Sequence, residues 1–261
     1  HMTEPRPIGR RFIARVRIGL HNAQNGHIAT NEVSGDFADV LRREKKVSML
    51  RAAGDDPDNL TQPQPPHSAM AKIPDKQGLF FELDGVLVDQ ARLNADGSVP
   101  FIDRAIRALG RVDQSQFRLF VATSRQDIAF GQYREREFTK FCEAFLQAMQ
   151  AEQIPITKIY SCPYHPKGKG RFKKDSVFRK PGPGIYKMAQ QEFDLNLQRS
   201  WMIGHTTADV LAGQRAELGT ILVKTGKAGK DGEFQVEPHF IENDFYDAIA
   251  RVNHFEHSLR Y

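Results

Sequence analysis

Apolar residues recur along this chain with two periods, and the periods divide it into parts. Near the start, Ala14, Val16, Ile18 and Leu20 alternate with Arg15, Arg17 and Gly19, the pattern of a half-buried strand; Asn22 to Gly26 then supplies turn residues before a second extended run at 27–33. Phe37, Val40, Leu41, Val47 and Leu50 follow near-helical spacing, with Asp36 placed to cap and Gly54 beyond the end. Residues 1–53 are therefore expected to form a small strand-strand-helix unit. Residues 54–75 carry Asp-Asp-Pro, Gln-Pro-Gln-Pro-Pro and Ile-Pro-Asp with little to bury, and read as a proline-rich linker.

From 76 to 261 strand-like and helix-like stretches alternate. Gly78-Leu79-Phe80-Phe81 is an apolar run that closes on two acids, Glu82 and Asp84, with Gly85 behind them. Further strands are expected at 117–122, 156–161, 200–203, 220–223 and 239–241, and helices at 100–109, 133–152, 184–193, 210–217 and 245–252. In the long helix, Phe138, Phe141, Cys142, Phe145, Leu146 and Met149 form one stripe, which makes Cys142 a core residue. This alternation calls for an α/β fold in which a parallel sheet is covered by helices on both faces. In such sheets ligands bind beyond the carboxyl ends of the strands, where Glu82 and Asp84 lie.

Composition adds two things. The formal charge of +5 is confined to the start: residues 1–53 hold ten of the 37 basic and five of the 32 acidic residues, leaving 27 of each for the remainder. A basic extension of this kind can hold a protein partner, a second copy or nucleic acid; its helix has more apolar than basic stripe, which favours self-association or a protein partner over nucleic acid. No apolar run approaches the ~20 residues that span a bilayer, and Cys142 and Cys162 cannot build a disulfide framework. No membrane partner is expected, and the expected compartment is the cytoplasm.

The strand ends carry four motifs. The first is Glu82-Leu83-Asp84-Gly85. The second is Thr123-Ser124-Arg125-Gln126-Asp127-Ile128-Ala129-Phe130-Gly131, the third Arg179-Lys180-Pro181-Gly182-Pro183-Gly184, and the fourth Gly204-His205-Thr206-Thr207-Ala208-Asp209 with Ala212-Gly213 behind it. In this order they resemble the motifs of the haloacid dehalogenase (HAD) superfamily of phosphohydrolases. The second and third are similar to Thr-Asn-Gln-Ser-Gly-Ile-Ala-Arg-Gly and Arg-Lys-Pro-x-Pro-Gly of the heptose-bisphosphate and histidinol-phosphate phosphatase branch. The resemblance spans about residues 78 to 226 and implies a HAD-like, Rossmannoid sheet. It also implies Glu82 in the position of the nucleophilic Asp, Asp84 as acid and base, and Thr123, Ser124, Arg179 and Lys180 as phosphate-binding residues. Glu82, Asp84 and Asp209 would be the metal ligands.

Two positions depart from the family. Glu82 is one methylene longer than the family's nucleophile, and misplacement by about an ångström can cost ~10²-fold in a positioned displacement. His205 stands where the family has a Mg²⁺-ligating Asp, and Mg²⁺ prefers hard oxygen ligands. A weakened Mg²⁺ site is expected. The branch's zinc loop retains only Cys162 of four ligands, so no zinc is expected and packing of Tyr164, Phe172 or Phe178 should hold the loop. Two functions follow from the resemblance: a phosphatase-like module with impaired or lost hydrolysis that binds a phosphorylated ligand or a partner, or an active metal-dependent phosphatase on a small phosphorylated metabolite such as a sugar phosphate.

Overall fold

The structure is a computed structural model that describes residues 76–258 together with the strand Gly19–Leu20. The expected second strand and helix of 1–53 and the linker at 54–75 lie outside the described residues. Seven strands make one parallel sheet in the order β1-β4-β3-β2-β5-β6-β7. They are β1 (Gly19–Leu20), β2 (Gln77–Phe81), β3 (Phe117–Ser124), β4 (Ile156–Cys162), β5 (Trp201–Gly204), β6 (Gly219–Val223) and β7 (Phe240–Glu242). The helices are α1 (Ala105–Leu109), α2 (Gln126–Ala129), α3 (Glu135–Ala151), α4 (Gly184–Phe193), α5 (Thr207–Arg215) and α6 (Phe245–Ser258). The alternation of Ala14 to Leu20 thus ends in a strand at Gly19 and Leu20, which pairs with Tyr160 and Ser161 of β4.

The period of two in β2 explains the layers. Leu79 and Phe81 pack to one side with Phe141 and Phe145 of α3 and with Phe245 and Ile249 of α6. Phe80 faces the other way, against Tyr186 and Ala189 of α4 and Ala212 of α5. Phe80 stacks on Phe120 at 4.9 Å between ring centroids and meets the edge of Tyr186 at 5.1 Å. Both faces of β2 are therefore dry, as a central parallel strand requires. Cys142 is fully buried, and burial pushes its thiol up to about 12.

Two helices begin elsewhere than their apolar spacing predicts. The helix expected from Pro100 starts at Ala105, because Arg104 adopts the left-handed conformation (φ 63°) and Phe101 bridges Val88 instead. The helix expected from Val210 starts at Thr207, where Thr206 caps it by accepting a hydrogen bond from the Asp209 amide at 3.1 Å. The short α2, after β3, has no apolar period long enough to announce it.

The far, amino-terminal edge of the sheet has its own polar knot. Glu256 of α6 is buried; it accepts from Gln116 Nε2 and, at 3.1 Å, from Arg199. The chain turns one way from β2 to β3 and β4 and the other way to β5, so β2 and β5 flank the switch point where α/β sheets open a crevice.

Replacing Phe80 by Ala removes a ring enclosed on every side and should lower stability by about 3–5 kcal/mol. Urea unfolding followed by tryptophan fluorescence measures this; a loss below about 1 kcal/mol would contradict the two-faced packing of β2.

Candidate active site

Four chain turns converge at the carboxyl edge of β2, β3 and β5. Glu82 and Asp84 follow β2, Thr123 and Ser124 end β3, and His205 follows β5, with Asp209 in the first turn of α5. Lys180 comes from the loop before α4. Its ammonium donates to Glu82 Oε2, to Asp209 Oδ1 and, at 3.0 Å, to the Ala122 carbonyl. The second oxygen of Glu82 accepts the Leu83 amide at 2.8 Å. Side-chain exposure is 3% at Lys180, 8% at Glu82 and 2% at Asp209, so the triad is desolvated and its Coulomb terms are strong.

One ammonium between two carboxylates cannot serve both equally. Burial raises the Glu82 pKa above its ordinary value against the pull of Lys180. Asp209 moves the other way: burial opposes its charge, but Lys180 and the hydrogen bond from Thr206 hold it below the usual range. Burial would also lower Lys180, and the attraction of Asp209 and Glu82 outweighs it, so the ammonium is held charged. Asp209 additionally accepts the backbone amides of His205 and Thr206, both at 3.0 Å. Gly204 permits this, since a Cβ there would lie 2.3 Å from the Asp209 Cβ.

Asp84 is not turned toward Lys180. One of its oxygens accepts the Ala91 amide and the other accepts from Arg125 Nη1 at 2.7 Å. Arg125 is 3% exposed, and its second nitrogen bonds Asp127. Sequence reasoning passed over both residues. The signal was in the second motif, where Arg125 and Asp127 stand at the Gln and first Gly of Thr-Asn-Gln-Ser-Gly. The His205 ring accepts the Lys227 amide at Nδ1, at 2.9 Å, and lies against Gly85, where a Cβ would come 2.9 Å from that nitrogen. Ser124 accepts the Lys180 amide at 3.2 Å, so it positions the lysine's backbone. The Thr123 hydroxyl is fully buried with no hydrogen-bond partner among the described residues, and Arg179 is half-buried with its Nε likewise unpartnered. In the loop after β4, Tyr164 packs on Phe172 at 6.3 Å and His165 on Phe130 at 4.8 Å.

Residues 177–248 match a family model described as HAD-hydrolase-like. A heptose-1,7-bisphosphate 7-phosphatase of Pasteurella multocida is 33% identical over 163 residues, which are 61% of this chain and 89% of the relative. The chain belongs to the haloacid dehalogenase superfamily. A second relative, a heptose-1,7-bisphosphate 7-phosphatase of Burkholderia mallei, is 34% identical over 149 residues, 56% of this chain and 79% of its own. Among solved structures, the D,D-heptose 1,7-bisphosphate phosphatase of B. bronchiseptica, complexed with magnesium and phosphate, superposes with a TM-score of 0.59 at 18% identity. It covers 69% of this chain and 99% of its own, and it has the same fold.

Magnesium in that solved structure raises the question of fit here. Mg²⁺ needs oxygen ligands free to converge in octahedral geometry. Both oxygens of Glu82, both of Asp84 and both of Asp209 already accept hydrogen bonds, and His205 offers an imidazole whose Nδ1 is engaged. Among the described residues no three His, Cys, Asp or Glu side chains are grouped to hold a metal ion. A hard divalent cation here would share these oxygens with their present donors, through lone pairs that those hydrogen bonds leave open.

Lys180→Met leaves Glu82 and Asp209 buried without their cation and should cost about 3–5 kcal/mol at pH 7. The sign with pH follows from the shifts. In the native protein the depressed Asp209 contributes stability that is lost only as pH falls below the ordinary carboxylate range, while the raised Glu82 acts the other way in both proteins. In the variant both acids bind protons more readily folded than unfolded, so stability grows as pH falls. The gap between the two proteins should therefore narrow from pH 7 to pH 5 in denaturant titrations; a gap that widens would be evidence against the triad.

Proposed function

We propose that this chain binds a small phosphorylated molecule of the sugar-phosphate kind and hydrolyses it as a phosphatase of low turnover. The observation that carries the proposal is the Lys180 bridge. It holds a carboxylate at the nucleophile's position beside a fixed positive charge, with the buried Thr123 hydroxyl close by, and phosphoryl transfer through an acyl phosphate calls for those groups. The heptose-bisphosphate phosphatases among its relatives support the substrate class. In this proposal a Glu82 oxygen attacks phosphorus, the leaving alkoxide takes a proton from Asp84, and a water deprotonated by Asp84 then releases Glu82. The added methylene of Glu82 moves the attacking oxygen, which alone accounts for a loss of ~10²-fold.

A second proposal is that hydrolysis is lost and the pocket serves as a phosphate-binding or regulatory module. One observation favours it: Asp84 must be released from both Arg125 and the Ala91 amide before it can transfer a proton. The basic residues 1–53 are proposed to serve self-association or a protein partner.

Hydrolysis of p-nitrophenyl phosphate and of sugar phosphates, assayed with Mg²⁺, separates the two. Slow turnover that Glu82→Gln abolishes, and that the pair Glu82→Asp with His205→Asp raises at least tenfold, is the outcome expected for the phosphatase. Phosphate binding with no turnover favours the module. Rapid turnover unaffected by Glu82→Gln would place the chemistry elsewhere and overturn both.

A further inference from the structure

His205 stands where the two halves of the sheet part, and the reaction proposed above makes no use of its ring. It directly follows β5, and its side chain reaches across the switch point to the turn after β2. There a Cβ on Gly85 would come 2.9 Å from Nδ1; from the loop after β6, a Cβ on Gly226 would come 2.3 Å from the same atom. Both glycines have positive φ, 68° and 60°, so the backbone at each favours the residue that leaves room for the ring. The loop after β6 is tied down as well. The Gly229 amide donates to the His205 carbonyl at 2.8 Å, and Thr225 Oγ1 donates to the Gly85 carbonyl at 2.6 Å. Three strand ends thus hold one imidazole in place.

That grip decides what the ring offers. Nδ1 accepts the Lys227 amide at 2.9 Å, and a ring nitrogen that accepts cannot also carry the proton, so in the neutral imidazole the proton sits on Nε2. The residue is half-buried, and Nε2 has no partner among the described residues. With Nδ1 and Cε1 closed in by the two glycines, this N–H belongs to the ring's remaining edge, in the crevice between β2 and β5. Asp209 joins it to the cation of the site, since one of its oxygens accepts the His205 amide at 3.0 Å and the other the Lys180 ammonium. A position-locked donor beside a fixed positive charge is what an oxyanion requires, because no reorganisation is needed when the anion arrives.

We propose that His205 is a binding residue for the phosphoryl group, its Nε2–H donating to an oxygen of a phosphate that lies against Lys180. The proposal rests on the phosphate-binding reading above and adds to it an uncharged, directional donor. A ring that served only to pack the two turns together could be replaced by any group of its size. A donor could not.

Titration of the full chain with inorganic phosphate, in EDTA and again with Mg²⁺, tests this by calorimetry and by ¹⁵N NMR of the histidine rings, with His205 assigned by the signal lost in His205→Gln. The free protein should show His205 protonated at Nε2, and phosphate should shift that nitrogen. His205→Phe, which keeps a ring without a donor, should weaken phosphate about tenfold or more, as the loss of a hydrogen bond to a charged group does. His205→Gln, which keeps an N–H and an oxygen for the Lys227 amide, should stay within about threefold of the unaltered protein. If His205→Phe does not fold, the ring nitrogens of the unaltered protein still decide. A ring protonated at Nδ1, ring signals unmoved by bound phosphate, unchanged affinity in His205→Phe, or equal losses in both variants would each overturn the proposal and leave the phosphate-binding reading standing. No phosphate binding by the unaltered protein in either buffer overturns both.

Discussion

A single ammonium, that of Lys180, sits where three strand ends would otherwise bring buried negative charge together. Glu82 follows β2, the Ala122 carbonyl belongs to β3 and Asp209 follows β5, and Lys180 bonds all three from a loop that is part of none of them. Two ionised carboxylates this deep would repel and lose their hydration, at a cost of roughly several kcal/mol unless they are paired or take up protons. The central strands can end where they do because the cation arrives. The same charge that closes the fold is the one that would meet a phosphate.

Arg125 repeats the arrangement one layer out, with Asp84 and Asp127 in place of Glu82 and Asp209. The site thus consists of two cations, each bridging two acids. Arg125 and Asp127 stand in the second motif, Glu82 in the first and His205 in the fourth. His205 accepts the Lys227 amide and lies against Gly85.

Much of this is legible in the amino-acid sequence. Strands buried on both faces announce themselves as continuous apolar runs, so β2, β3, β5 and β6 could be placed within a residue or two, and the resemblance of the four motifs to the family's placed Glu82, Lys180 and Asp209 at one edge. What was not legible depends on direction. Nothing in the spacing says that Asp84 turns from Lys180 toward Arg125, because a carboxylate's orientation is decided by which donors surround it in space. Arg104 likewise gives no warning that it adopts a left-handed conformation and delays α1 by a turn. The spacing of Ala14 to Leu20 implies a strand but not its partner, which is β4, some 140 positions away along the chain.

The polar knot around Glu256 also bears on how the chain is made. β2 lies at the centre of the sheet, yet one of its two neighbours, β5, is distant: the Gly78 amide donates to Ser200 across 122 positions. At roughly 5–20 residues per second, a ribosome needs on the order of ten seconds to supply that partner. The acid that ties Gln116 and Arg199 together arrives later still, near the end of α6. During that interval β2 can pair only with β3, and its other edge, with Leu79, Phe80 and Phe81 on it, stays open to any strand that reaches it. Until β5 is released, a nascent chain of this topology carries an unpaired central strand edge, the kind of surface on which chains aggregate.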